Sequence, residues 1–168
     1  MDLTDYRDII YRSLERIRST IADNINSKGL RASGKTEKSM RIEMYDEGGR
    51  LWGRQYFQSL EEGRPAGKVP YNFQAIIKQW IRDKGIAVQL VPYKRRASER
   101  WQPKYSVEER SLNMAAGAIA HSIATRGTLL YRQGGRRDIY TPIIEEETKR
   151  LEGEIGILVA DTIRKAIK

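Results

Sequence analysis

The sequence predicts an α+β fold: a small antiparallel sheet packed by a long N-terminal helix and a long C-terminal helix, with additional helices and long loops. Three observations predict it. Apolar residues near both ends recur at steps of three and four, the period of a helix buried along one face. Residues 40–45 alternate with period two, as a half-buried strand does. Stretches dense in glycine and proline separate these periodic segments. With 168 residues, 39% of them hydrophobic, the chain is long enough for one cored domain. A single domain over 1–168, carrying an irregular basic insert around 86–137, is the expected organisation.

Leu3, Tyr6, Ile10, Leu14, Ile17, Ile21 and Ile25 mark one face of the first helix, and Asn26-Ser27-Lys28-Gly29 stops it. Met40 to Tyr45 reads as a strand, Asp46-Glu47-Gly48-Gly49 as a turn, and Arg50 to Gly53 followed by Tyr56 to Leu60 as renewed extended chain. The expected unit is an antiparallel hairpin or short meander. Gly63 to Pro70 is a loop. Phe73, Ile76, Ile77, Trp80 and Ile81 mark a second helix that ends near Gly85, and Ile86 to Val91 has the composition of a strand. Pro92 to Ser106 is basic, aromatic and irregular, as a long loop or flap is. Helical spacing returns over 107–125 with Leu112, Ala115, Ala116, Ile119 and Ile123, and Gly127 to Tyr140 reads as a second loop. Thr141-Pro142 then places a cap and a first-turn proline ahead of the last helix, with Glu145, Glu146 and Glu147 favoured by its dipole. Apolar residues cover more of that helix than one core contact needs, so Ile144, Leu151, Ile155, Leu158 and Ile163 are the candidate subunit interface.

The absence of cysteine excludes disulfides, thiolate metal sites and thiol nucleophiles, and one histidine, His121, leaves no histidine cluster for a metal. No catalytic, cofactor or metal residue is assigned, and the chain is expected not to be an enzyme. Nothing approaches a membrane span, and Met1 to Asp5 lacks the layout of a secretory signal. The net charge of +9 is concentrated: residues 93–137 hold 10 basic and 3 acidic side chains. Lys94, Arg95, Arg96, Arg100, Lys104, Arg136 and Arg137, interleaved with Tyr93, Trp101 and Tyr105, form a candidate loop surface facing DNA or an acidic partner.

Residues 29–36, Gly-Leu-Arg-Ala-Ser-Gly-Lys-Thr, match the phosphate-binding P-loop pattern letter for letter. That chemistry needs a buried strand before the loop and a helix from the lysine onward, because helix amides cradle the phosphates. The flanking sequence instead predicts a charged helix before and a strand soon after, so the segment reads as a turn with Lys35 solvated. The pair Glu61-Glu62 is expected to be structural too, since neighbours on a strand point to opposite faces. His121 on an alanine-rich helix reads as a packing or interface residue.

The run Ala32-Ser33-Gly34-Lys35-Thr36-Glu37-Lys38-Ser39-Met40 resembles the Thr/Ser-Gly-x-Leu-x-x-Ser entry of tailed-phage head–tail connector and tail-completion proteins, with Thr36 where that family has leucine. Tyr56 to Arg64 is similar to the family's strand ending in an aromatic, an acid and a glycine, and Ile139-Tyr140-Thr141-Pro142-Ile143 to the opening of its last helix. The resemblance implies a virion protein of the neck, assembled in the host cytoplasm, that forms an oligomeric ring between portal or adaptor and tail proteins, with DNA in the channel lumen. Two other functions remain open from the residues: a standalone nucleic-acid-binding protein using the 93–137 segment, and a P-loop phosphotransferase.

Overall fold

The computed structural model describes residues 3–94 and 102–167. Its elements run α1 Leu3–Ser27, α2 Lys35–Lys38, β1 Arg41–Tyr45, β2 Gly48–Trp52, α3 Ser59–Glu62, α4 Phe73–Asp83, α5 Val107–Arg126, α6 Leu129–Arg132 and α7 Thr141–Ile167. They divide into two compact units, Met1–Glu62 with Gly135–Lys168, and Gly63–Gly134. The expected α+β class, with its long terminal helices and antiparallel hairpin, is what folds. Each unit has its own core cluster, and α4 packs with α5 in the second.

In the first unit the apolar stripe of α1 is the common wall. The hairpin and α7 each pack against it. The helix stops where expected, with Gly29 N–H donating to Asn26 O at 3.0 Å and Leu30 N–H to Ile25 O at 2.9 Å, the bonds that satisfy the last carbonyls of a helix. β1 and β2 pair antiparallel from Arg41 opposite Trp52 to Tyr45 opposite Gly48, leaving Asp46-Glu47 as the turn. Period two decides the faces: Ile42, Met44 and Leu51 turn inward, while Arg41, Glu43, Arg50 and Trp52 face out. Ile21, Ile25, Met40, Ile139 and Ile143 form the core, with Phe57 and Tyr140 packed against it.

The extended chain expected over 56–60 does not form. Phe57 N–H bonds Arg54 O and Leu60 N–H bonds Phe57 O, so the segment closes into turns and the one-turn α3. Its backbone groups find partners locally, and among the described residues no third strand is offered to them. The family-like strand over Tyr56 to Arg64 is therefore a turn and a short helix.

The second unit is helical. Phe73, Ile77 and Ile81 of α4 meet Ala116 and Ala120 of α5 in its core, and the small alanines let the two helices close. Ser106 caps α5 by accepting the Glu109 amide at 3.1 Å. The 63–68 loop is fastened to the end of α5 and the start of α6: Gly67 N–H donates to Ala124 O, Thr128 N–H to Arg64 O, and Arg64 N–H to Thr128 Oγ1, each at 2.9 Å. Gly63 is required here, since it has φ of +72° and a Cβ would stand 2.5 Å from the Tyr131 amide nitrogen.

The strand composition of Ile86 to Val91 is overridden. Among the described residues no strand neighbours it, and the segment is strapped along α5 instead, with Val91 N–H on Ser111 Oγ at 2.8 Å and Arg110 Nη1 on Val91 O at 2.5 Å. The loop expected over 127–140 contains a helical turn, α6, capped by Thr128, whose Oγ1 accepts the Tyr131 amide.

Candidate interaction surfaces

The first unit spends its best polar chemistry on its own joint. Sequence reading offered Thr141 as the cap of α7, but the cap is Glu61, a residue 80 positions earlier. Glu61, 2% exposed, accepts the Ile139 and Tyr140 amides on Oε1 at 2.7 Å and the Thr141 amide at 3.1 Å, and the Thr141 hydroxyl donates to its other oxygen. A carboxylate at a helix N-terminus satisfies the free amides and complements the dipole. Burial alone would raise its pKa; the Thr141 hydroxyl and the Tyr140, Thr141 and Ile139 amides outweigh it and hold the carboxyl below its ordinary range. The charge of Glu61 also helps push the Tyr140 phenol upward, after burial.

The joint extends into α1. Glu61 O accepts the Arg136 amide at 2.7 Å, Asn24 Nδ2 donates to Ile139 O at 3.0 Å, and Asp138 takes Arg136 at 2.6 Å and Lys28 at 2.5 Å. Hydrogen bonds from Arg136 and then Lys28 hold the Asp138 carboxyl well below its usual range. Arg136 is thus not a free basic loop residue, and with Arg137 it belongs to the first unit, not to the loop that carries Lys94 and Lys104. Those two lysines are exposed, Lys104 lying 5.4 Å from the Tyr105 ring. Arg95, Arg96 and Arg100, with Trp101, lie outside the described residues.

The candidate interface on α7 divides in two. Glu147 and Glu154 pair with Arg16 of α1 at 2.8 and 3.3 Å, and Leu151 and Leu158 share that helix face and are half-buried. Ile155 is also half-buried. Ile144 lies half-exposed in an apolar cleft of about 430 Å³ lined by Leu14, Ile17, Leu51 and Phe57. Further along, Val159, Ile163 and Ile167 continue at steps of four from Ile155, rotating away from α1, and they are 39%, 52% and 80% exposed. Gly153 and Gly156 sit mid-helix with open space where a Cβ would go. Glu147 itself is buried, held by Arg16 and Arg150, so it serves the α1 contact rather than the dipole.

In the second unit, Ile76 and Trp80 of α4, Ile119 and Ile123 of α5 and Leu129 and Leu130 of α6 line a groove of about 670 Å³, with Arg132 at its margin. The i, i+4 pairs on α4 and α5 were legible as helix faces. That α6 would complete a groove was not, because a four-residue helix has no periodic signal.

The chain matches no family model, no curated protein and no solved structure. Geometry therefore carries the remaining arguments. At the P-loop-like segment, α1 rather than a strand comes before Gly29, and a one-turn helix does begin at Lys35, contrary to expectation, with the Lys35 side chain exposed. One turn aligns too few peptide dipoles to make a phosphate cradle. His121 is exposed on α5, where its carbonyl accepts the Thr125 hydroxyl at 2.8 Å. Among the described residues no His, Cys, Asp or Glu cluster is arranged to hold a metal ion, and no helix is long and apolar enough to cross a membrane.

Proposed function

We propose that this protein is a structural virion subunit that assembles with copies of itself into a ring at the head–tail junction of a tailed phage, against portal or adaptor and tail proteins, around a DNA channel. The observation that carries the assembly part is the outer half of α7. Its row of Val159, Ile163 and Ile167 is left in solvent by its own chain, and each mid-helix glycine costs about 1 kcal/mol relative to alanine with no packing reason inside the chain. A neighbour's surface laid on that row gives both features a reason. The resemblance in the 32–40 segment and at the opening of the last helix supports a phage neck as the site of this assembly.

The test is the mass in solution by light scattering across a concentration series, with Ile163→Asp in parallel. A discrete multiple of the 19.4 kDa chain that falls to monomer in the variant is the expected result. A protein that stays monomeric at every concentration, alone and with phage neck proteins, overturns it.

One observation favours a second reading, direct DNA binding: the second unit holds 13 basic and 4 acidic side chains, the whole net charge of +9. On that reading the monomer binds duplex DNA with an affinity that falls steeply as salt rises, through counterion release.

A further inference from the structure

We infer that the groove of the second unit, between α4, α5 and α6, is a docking site for an acidic amphipathic helix of a partner protein. The inference does not rest on the ring reading, since it concerns a different surface. Ile77 and Ile81 fill the core between α4 and α5, so Ile76 and Trp80, one position round the helix, are surplus to that contact. Ile76 is 45% exposed and Trp80 39%, and Leu129 across the groove is 61% exposed. A groove of about 670 Å³ lined by seven apolar side chains has the dimensions that take the anchor residues of a helix.

The walls select the occupant. All three walls are helices, so the groove offers no strand edge to an extended peptide. A helix carries its own hydrogen bonds and needs only apolar contact. Duplex DNA gains little from such walls, because its contacts are mainly hydrogen bonds to phosphate oxygens, sugars and base edges. The charge selects further. Among the described residues no carboxylate lines the groove, Arg132 does, Arg126 stands at the end of α5 with one guanidinium nitrogen on Ser122 Oγ at 3.0 Å, and the unit as a whole is +9. Acidic flanks complement that field. The exposed end of α7 from a second copy fits less well, since it brings Arg164, Lys165 and Lys168 against a single Asp161.

The test uses the full chain and a synthetic labelled peptide of about five helical turns, with leucine at i, i+3, i+4 and i+7 and glutamate on both flanks. A control peptide carries lysine in place of glutamate. Fluorescence anisotropy is expected to show saturable binding of the acidic peptide, at least about tenfold tighter than the lysine peptide. That binding is expected to drop by about tenfold or more in Leu129→Asp, in Ile76→Asp and in Arg132→Glu; the exposure of all three positions lets the variants fold, which circular dichroism verifies. No saturable binding, equal binding of the lysine peptide, or binding untouched in all three variants overturns the proposal. So does self-association that Leu129→Asp abolishes, which assigns the groove to a second copy, and so does a DNA affinity that falls as far as the peptide's in that variant. The α7 variant Ile163→Asp reports on the ring alone and leaves peptide binding unchanged.

Discussion

The two units of this chain solve different problems with the same amino acids. The first holds 18 basic and 18 acidic side chains and is neutral; the second holds 13 and 4 and carries the full +9. In the first unit charges are paired across elements: Arg16 bridges to Glu147 and Glu154, and Asp138 joins Arg136 to Lys28. In the second, Lys78 and Arg82 share the single carboxylate of Glu109, whose pKa is lowered chiefly by the Lys78 hydrogen bond. Paired charge fixes architecture, while surplus charge of one sign creates a field for a partner. On the proposed reading, the neutral unit is scaffold and assembly surface and the basic one a recognition surface.

The sharpest way to break that contrast is to remove the keystone of the neutral unit. Glu61→Ala strips four hydrogen bonds from a buried carboxylate and leaves the amides of Ile139, Tyr140 and Thr141 without their acceptor. A loss of about 3–5 kcal/mol is expected in chemical denaturation. A loss under about 1 kcal/mol removes Glu61 from the role assigned here.

Core truncations come next and compare the units directly. Ile21→Ala in the first and Ile81→Ala in the second, both 2% exposed, are each expected to cost about 2–4 kcal/mol. Hydrogen exchange should show the loss of protection concentrated in the unit that carries the substitution. Protection lost equally in both units would mean one cooperative core after all.

The pH dependence follows from Glu61. Its folded pKa lies below the ordinary glutamate value of 4.5, so its contribution is fully present above that value and is lost as pH falls through the folded pKa. Glu61→Gln should therefore show a shallower fall in melting temperature than the parent chain below about pH 4.5. The smallest effect belongs to α7: Gly156→Ala, with open space around the added methyl, should stabilise the isolated chain by about 0.5–1 kcal/mol. If the α7 row is buried by a neighbour, the same change weakens assembly in light scattering, so the two measurements move in opposite directions.

Long, strongly periodic segments were legible. The stripe Leu3 to Ile25, the alternation at 40–45 and the alanine-rich spacing after Val107 each became the element expected, because the period of burial is written in the residue order. Segments whose structure depends on a partner were not. Ile86 to Val91 has strand composition but, among the described residues, no strand to pair with, and Tyr56 to Leu60 closes on itself. Glu61 was legible only as a carboxylate beside another. Nothing local says that it will meet residues 139–141, and so the capping role fell to Thr141.

The grouping of basic residues shows the same limit. Lys94, Lys104, Arg136 and Arg137 are close in a charge count along the chain, yet they fall in two units, and Arg136 is spent on Asp138.

Sequence by itself determined the class of the fold, its long terminal helices, the hairpin, and the surplus of positive charge, since each follows from composition or from a period of a few residues. Tertiary structure alone decided where the chain divides, which carboxylate caps the last helix, which isoleucines are left in solvent and which helices wall a groove. Those outcomes depend on residues tens of positions apart meeting in space, and their energies come from desolvation and from hydrogen bonds that exist only once both partners are in place.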